Sequence, residues 1–193
     1  MKLFIYFMIY SMLGWLIESL YVSYAHKRIV NSGFLIGPYC PIYGLGSLIV
    51  LFLLSSFHHN IILLFIFSFL LTSILEYLTS YILEKLFGVL WWDYSKMKFN
   101  IQGRVCLLNS ILFGIMSLIV TYLVHPIIYN FIESNSIYTL RIIFIFFICI
   151  LFIDMFISIK RLIKFKQALS SFHSDMKDIE NYLNRFPTMS IKK

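Results

Sequence analysis

The feature that most constrains this chain is a series of apolar runs of membrane-crossing length, two of which hold a carboxylate in their interior. Crossing about 30 Å of hydrocarbon as a helix takes about 20 predominantly apolar residues. Leu3–Tyr24 meets that length with Glu18 inside it, and Ile61–Leu83 meets it with Glu76 inside and Glu84 just beyond. Val105–Val124 holds no acidic or basic residue and stops near Pro126, whereas Ile142–Ile159 is bounded by Arg141 and Lys160 and carries Asp154 near its end. Pro41–Phe57 is shorter, and Pro41 suits a first helical turn, where its missing N–H is not needed. The runs predict an all-α membrane protein of about five transmembrane helices. A charged fraction of 13%, against about 25% in soluble domains, fits that class.

Basic residues in the connecting segments set the expected orientation. Lys27 and Arg28 follow the first run, Lys85, Lys96, Lys98 and Arg104 follow the third, and the C-terminal part is rich in Lys and Arg. The segments around His58-His59-Asn60 and Glu133 are poor in both. Five crossings with the N-terminus outside and the C-terminus cytoplasmic satisfy the positive-inside rule, except at Lys2 and Arg141. The net charge of +7 is accounted for by that distribution and does not imply a nucleic-acid partner. Ser23-Tyr24-Ala25 resembles a signal-peptidase site, but the run before it is longer than a signal core and contains Glu18.

Two segments at the expected cytoplasmic side resist a helical reading. Asn31 to Gly46 is apolar yet holds Gly33, Gly37, Pro38, Pro41 and Gly44. Non-helical backbone at membrane depth is tolerated only where protein or a cavity receives it. The stretch is therefore expected to form a re-entrant Gly/Pro turn before the second helix, either lining a ligand site or serving as a tight connector. The other segment, Trp91 to Arg104, opens on tandem tryptophans of the kind enriched at membrane–water interfaces. Asp93, Asn100 and Arg104 bracket the mouth between the third and fourth helices. Arg104 can pair in fork geometry with a core carboxylate or an anionic head group.

Carboxylates in a bilayer are costly and usually face a partner charge or a polar cavity. Tyr10, Gly14, Glu18 and Tyr21 share one helix face, and Gly14 leaves room beside the carboxylate for another backbone. Glu18, Glu76, Glu84, Asp93, Arg104 and Asn109, with Asp154, are expected to gather in the cytoplasmic half. That cluster is either a binding site for a cation or proton, or an ion pair of Glu18 or Glu76 with Arg104 that locks the bundle. Cys40, Cys106 and Cys149 lack metal-binding spacing, His58, His59 and His125 fall at the outer ends, and no metal or cofactor is implied.

From Leu162 the apolar positions Phe165, Leu169, Phe172, Met176, Ile179, Leu183 and Phe186 keep a heptad spacing that Pro187 ends. The expected organisation is a transmembrane bundle over 1–160, an amphipathic C-terminal helix over 161–187 and a disordered tail over 188–193. The helix could support self-association through 162–186, bind anionic lipid at its basic start, or recruit a cytoplasmic protein. In a parallel dimer Arg161 would face Lys166 and Asp175 would face Glu180, which disfavours that pairing.

Gly14-Trp15 with Glu18, Gly33-Phe34-Leu35 with Gly37-Pro38, Pro41-Ile42-Tyr43-Gly44, and Trp91-Trp92-Asp93-Tyr94-Ser95 with Asn100 and Gly103-Arg104 form an ordered set. In these motifs the chain resembles the ABC-transporter type IV family of bacterial polytopic membrane proteins, over roughly residues 5 to 126. The resemblance implies a multi-pass, permease-like protein of the bacterial inner membrane. The sequence has no GxxxxGK[ST], so ATP coupling would need a separate ATPase chain. A transport component ranks first, a scaffold or regulatory subunit second, and an enzyme on a lipid-linked substrate third. Cys40 is a conceivable nucleophile for the last, but no histidine lies near it in sequence.

Overall fold

The computed structural model describes residues 1–88 and 90–185. Its helices are α1 (Lys2–His26), α2 (Pro41–Leu53), α3 (Ile61–Phe87), α4 (Leu107–Ile119), α5 (His125–Ser134) and α6 (Ile137–Arg185). Strands β1 (Asn100–Ile101) and β2 (Val105–Cys106) form a small antiparallel ribbon in the segment between α3 and α4. Among the described residues, four helical rods are long and apolar enough to cross a bilayer: Lys2–His26, Ile61–Phe87, Leu107–Ser134 and Ile137–Phe172. The all-α, multi-span architecture agrees with the apolar runs.

The boundaries differ from expectation in three places, each for a local reason. The fourth helix does not stop near Pro126. A π turn over Val120–Val124 joins α4 to α5, with the His125 N–H donating to the Val120 carbonyl. Proline in a helix lacks a donor and clashes with the carbonyl four residues back, and the wider π ladder accommodates both defects. At its other end this helix begins at Leu107, because Val105 and Cys106 pair with Ile101 and Asn100. The helix expected over Pro41–Phe57 ends at Leu53, and Ser55–Phe57 tightens into a 3₁₀ turn. At 13 residues α2 is about 20 Å long, less than the hydrocarbon thickness. α6 runs from Ile137 to Arg185 as one helix, while Phe186, Pro187 and 188–193 lie outside the described residues.

α2 packs between α1 and α3, α4 covers another side of α3, and α6 lies against α1. At one end Ile5, Tyr6 and Tyr10 of α1 meet Leu51 of α2, Ile128 and Ile132 of α5, and Leu140 of α6. Two glycines set how closely the first two helices approach. A Cβ at Gly44 would strike the Phe7 carbonyl and the Ser11 hydroxyl, so Gly44 acts inside a helix and not in a loop. Gly14 receives the Tyr43 side chain, where the sequence suggested an approaching backbone.

Between α1 and α2 the chain folds back along α1 until the Cys40 N–H donates to the Ser11 carbonyl, near the middle of that helix, at 2.9 Å. Leu35 and Tyr39 bury themselves against Met8 of α1, with Phe147, Ile150 and Leu151 of α6 packed around them. Gly33 takes φ 89°, a conformation costly for any side chain, whereas Gly37 instead provides space for the Tyr39 ring. Asp154 of α6 anchors the segment. One carboxylate oxygen accepts from the Ile36 N–H at 3.0 Å and the Ser158 hydroxyl at 2.9 Å; the other accepts from the Gly37 N–H and the Tyr39 hydroxyl, both at 2.6 Å. Four donors fill the lone-pair positions of an ionised carboxylate.

Asp154→Ala strands two backbone donors and a buried phenol, at about 1–3 kcal/mol for each one left unsatisfied. The thermal midpoint of the detergent-purified protein is expected to fall by about 5–10 °C. Proteolysis within residues 27–40 should accelerate alongside, and Asp154→Asn, which keeps an acceptor, should lose less.

Candidate functional site

A polar cluster forms where α1, α2 and α3 meet the segment between α3 and α4. Because Gly14 lacks a side chain, Tyr43 packs flat against α1 there, and its hydroxyl comes beside Glu18 one turn further on. The Cys40 thiol at the start of α2 is the other polar neighbour of Glu18. On α3, Glu76 is only 3% exposed. Its Oε1 accepts from the Tyr94 hydroxyl at 3.1 Å, while its Oε2 is buried with no partner in the protein. The Ser80 hydroxyl, one turn along α3, is likewise buried and unpartnered. Glu18 of α1 lies on the same side of the cluster, near Glu76 of α3.

Tyr94 connects this pair to the loop. Burial and the Glu76 carboxylate push its phenol above the ordinary tyrosine value, and the neighbouring Asn109 side chain opposes that shift. Tyr94 is fixed by its N–H, which donates to the Gly103 carbonyl at 2.7 Å. Of the expected site residues, Glu18, Glu76 and Asn109 are therefore brought together.

Arg104 pairs with Glu84, Nη2 to Oε2 at 2.5 Å, and not with Glu18 or Glu76. Two turns further along α3 than Glu76, Glu84 stands where the loop delivers the guanidinium. The loop fixes that position, since the Trp92 Nε1–H donates to the Arg104 carbonyl and the Arg104 N–H to the Ile101 carbonyl. The guanidinium also lies over the rings of Tyr77 and Tyr81, at 5.7 and 5.6 Å. Its side chain is 13% exposed, and Nε and Nη1 find no acceptor. Among the described residues the ion pairs are this one and Lys2–Glu133 at the opposite end, so neither Glu18 nor Glu76 has a cationic partner.

Asp93 and Asn100 build the loop and do not line the cluster. Asp93 is exposed, and the Ser95 hydroxyl and N–H hold its carboxyl below the ordinary range. Asn100 donates to the Met97 and Ser95 carbonyls and accepts from the Gly103 N–H. Phe99 and Gln102 both take positive φ, a cost that these side-chain bonds offset. Asp154 joins the 36–39 segment, not the Glu18–Glu76 pair. Tyr10 reaches the far end to bond His125 Nδ1 at 2.7 Å, and Tyr21 is exposed.

Sequence reasoning gave no site role to Tyr43 and Tyr94, whose hydroxyls adjoin the two carboxylates. It also placed Asp154 without its task. A signal for the latter existed: Asp154 and Ser158 are spaced i, i+4, and a Gly/Pro segment without regular structure needs acceptors for its amides. The Cys40 thiol donates to the Ser32 carbonyl at 3.6 Å. Among the described residues no three His, Cys, Asp or Glu side chains are placed to hold a metal ion.

Removing Glu84 leaves a mostly buried guanidinium without its counter-ion. Because Glu84 is partly exposed, Glu84→Ala is expected to cost about 1–3 kcal/mol, below the full penalty of a broken buried pair. Arg104→Lys should not restore stability, since an ammonium cannot reproduce the planar stacking on Tyr77 and Tyr81. Thermal unfolding of the single and double variants in detergent measures both effects.

The model of the family described as "Putative ABC-transporter type IV" matches residues 5–159. The match extends past residue 126, the limit of the resemblance drawn from the motifs, and takes in the first part of α6 with Asp154, which that resemblance had left out. No curated protein and no solved structure matches the chain. With four fifths of its length under that family model, and with the helical architecture of a multi-span membrane protein, the chain belongs to the ABC-transporter type IV family.

Proposed function

We propose that this chain is a membrane transport component in which Glu18 and Glu76 bind a proton or small cation within the bundle. The observation that carries the reading is Glu76, nearly fully buried in a membrane-length helix, with one oxygen on Tyr94 and the other unpartnered. An ionised carboxylate in that setting is costly. Its cost is relieved by a proton on Oε2 or by a cation shared with Glu18. Loading and release then change the charge of the site by one, and the Tyr43 and Tyr94 hydroxyls adjoining the carboxylates would reorient with that change. Arg104, held on Glu84, stands as a fixed positive group toward the mouth.

The backbone around the site supports the same reading. Residues 27–40 and α2 make up one discontinuous crossing in this proposal, with the amino end of α2 at mid-membrane beside Glu18. The positive dipole end of α2 favours negative charge on Glu18 and so opposes its protonation, while non-helical carbonyls of the kind found in 27–40 are the groups that coordinate coupling ions in transporters. In this reading the positive-inside rule favours this end of the bundle in the cytoplasm and the N-terminus outside, in a bacterial inner membrane. Coupling to ATP would come from a separate ATPase.

A second reading, a scaffold that recruits a partner through its C-terminal helix, draws on α6. That helix continues to Arg185, roughly 35–40 Å beyond Ile159. Truncation after Lys160 separates the two readings, because a scaffold loses its partner while proton or cation movement continues.

In proteoliposomes, proton or cation movement is expected to be abolished by Glu76→Gln and strongly reduced by Glu18→Gln, and to survive Lys98→Gln. A pH-sensitive or cation-sensitive dye inside the vesicles reads the flux. Movement that persists with both carboxylates neutralised would end the transport reading.

A further inference from the structure

Apart from the Glu18–Glu76 pair, the bundle has a cleft at its basic end. This cleft of about 480 Å³ opens between the 27–40 segment, the start of the α3–α4 connection and α6, walled by Phe34, Leu90, Trp91, Arg161, Leu162 and Phe165. We propose that this cleft binds one anionic phospholipid. Its phosphate would sit on Arg161, and its glycerol and acyl portions would lie along Phe34, Leu162 and Phe165.

The chemistry of the walls selects that occupant. Five of the six named residues are apolar or aromatic, and Leu90 and Phe165 remain substantially exposed. The cation is a guanidinium, which engages phosphate oxygens in a planar fork. Arg161 makes no ion pair among the described residues. Two neighbouring cations are engaged elsewhere: Lys160 lies over the Phe156 ring, and Lys166 donates to the Leu86 carbonyl. Asp154, bonded to the cleft-lining residues Ile36 and Ser158, has both oxygens filled by the 36–39 segment and Ser158.

Trp91 gives the cleft an aromatic wall. Its ring packs edge-on against Phe34 and Phe87, and its Nε1–H is buried without an acceptor in the protein. Arg161 stands just past the end of the apolar run of α6, at the depth where head groups meet hydrocarbon. Free phosphate would use only the guanidinium and leave the apolar walls uncovered, which is why a lipid is the better match.

Native mass spectrometry of the full chain in detergent, titrated with dioleoyl-phosphatidylglycerol, tests the proposal. The expected result is a one-lipid adduct at concentrations where dioleoyl-phosphatidylcholine gives none. Arg161→Gln, at an exposed position, should weaken the adduct by about tenfold or more, and Phe165→Ala should weaken it to a lesser degree. Lys98→Gln, an exposed cation outside the cleft, should leave it unchanged. Equal phosphatidylglycerol binding by wild type and Arg161→Gln, equal binding of the two lipids, or displacement of the adduct by glycerol phosphate at matched concentration would each overturn the proposal.

Discussion

A peptide amide without a partner is expensive where water is scarce, and the fold depends on how one carboxylate removes that cost. The segment from Lys27 to Cys40 has no regular secondary structure to satisfy its backbone, yet it buries Leu35 and Tyr39 among helices. Asp154 supplies acceptors for two of its amides and for the Tyr39 hydroxyl, and Ser11 supplies a carbonyl for Cys40. With the segment pinned against α1 and α6, α2 starts near the middle of α1. That start places Tyr43 against Gly14 and brings its hydroxyl to Glu18.

Charge in the bundle is divided between satisfied and unsatisfied groups, and the division underlies the structural and functional roles proposed for them. Asp154 has four donors, and Glu84 has Arg104. Glu76 has a single tyrosine hydroxyl and a buried oxygen without a partner, beside a second carboxylate. Removing a saturated carboxylate is expected to show first in stability. Neutralising Glu76 relieves a buried charge, so its effect is expected in what the site binds. The guanidinium that the sequence set against Glu18 or Glu76 is spent on Glu84, so among the described residues that pair has no cationic partner, and the proton or cation role proposed for it builds on this.

Much of the architecture was readable from residue order alone. Apolar length marked α1, α3 and the first part of α6 closely, because bilayer thickness imposes a length on any crossing helix. Glu18 and Glu76 stood out as charges inside such runs. Less readable was the fate of Pro126: a proline reads as a stop, and only the π turn before it lets the helix continue to Ser134. The choice of partner for Arg104 was equally hidden, since several carboxylates share its end of the bundle and helix phase alone does not choose among them. Asp93 and Asn100 looked like site residues because polar side chains in an aromatic loop invite that reading. Their bonds turn inward to hold the loop, so that Tyr94 reaches Glu76.

By itself the sequence determined that this chain lives in a membrane, roughly where it crosses, and that carboxylates interrupt its crossings, since hydropathy and length are properties of local composition. Its motifs also fixed the family. Tertiary structure decided which acidic groups are paired, which stand alone, and where the chain between α1 and α2 goes. Those outcomes depend on contacts between residues distant in sequence, such as Asp154 with Gly37 and Tyr94 with Glu76. They follow from satisfying each buried polar group at its own depth, a condition that only the assembled helices can meet.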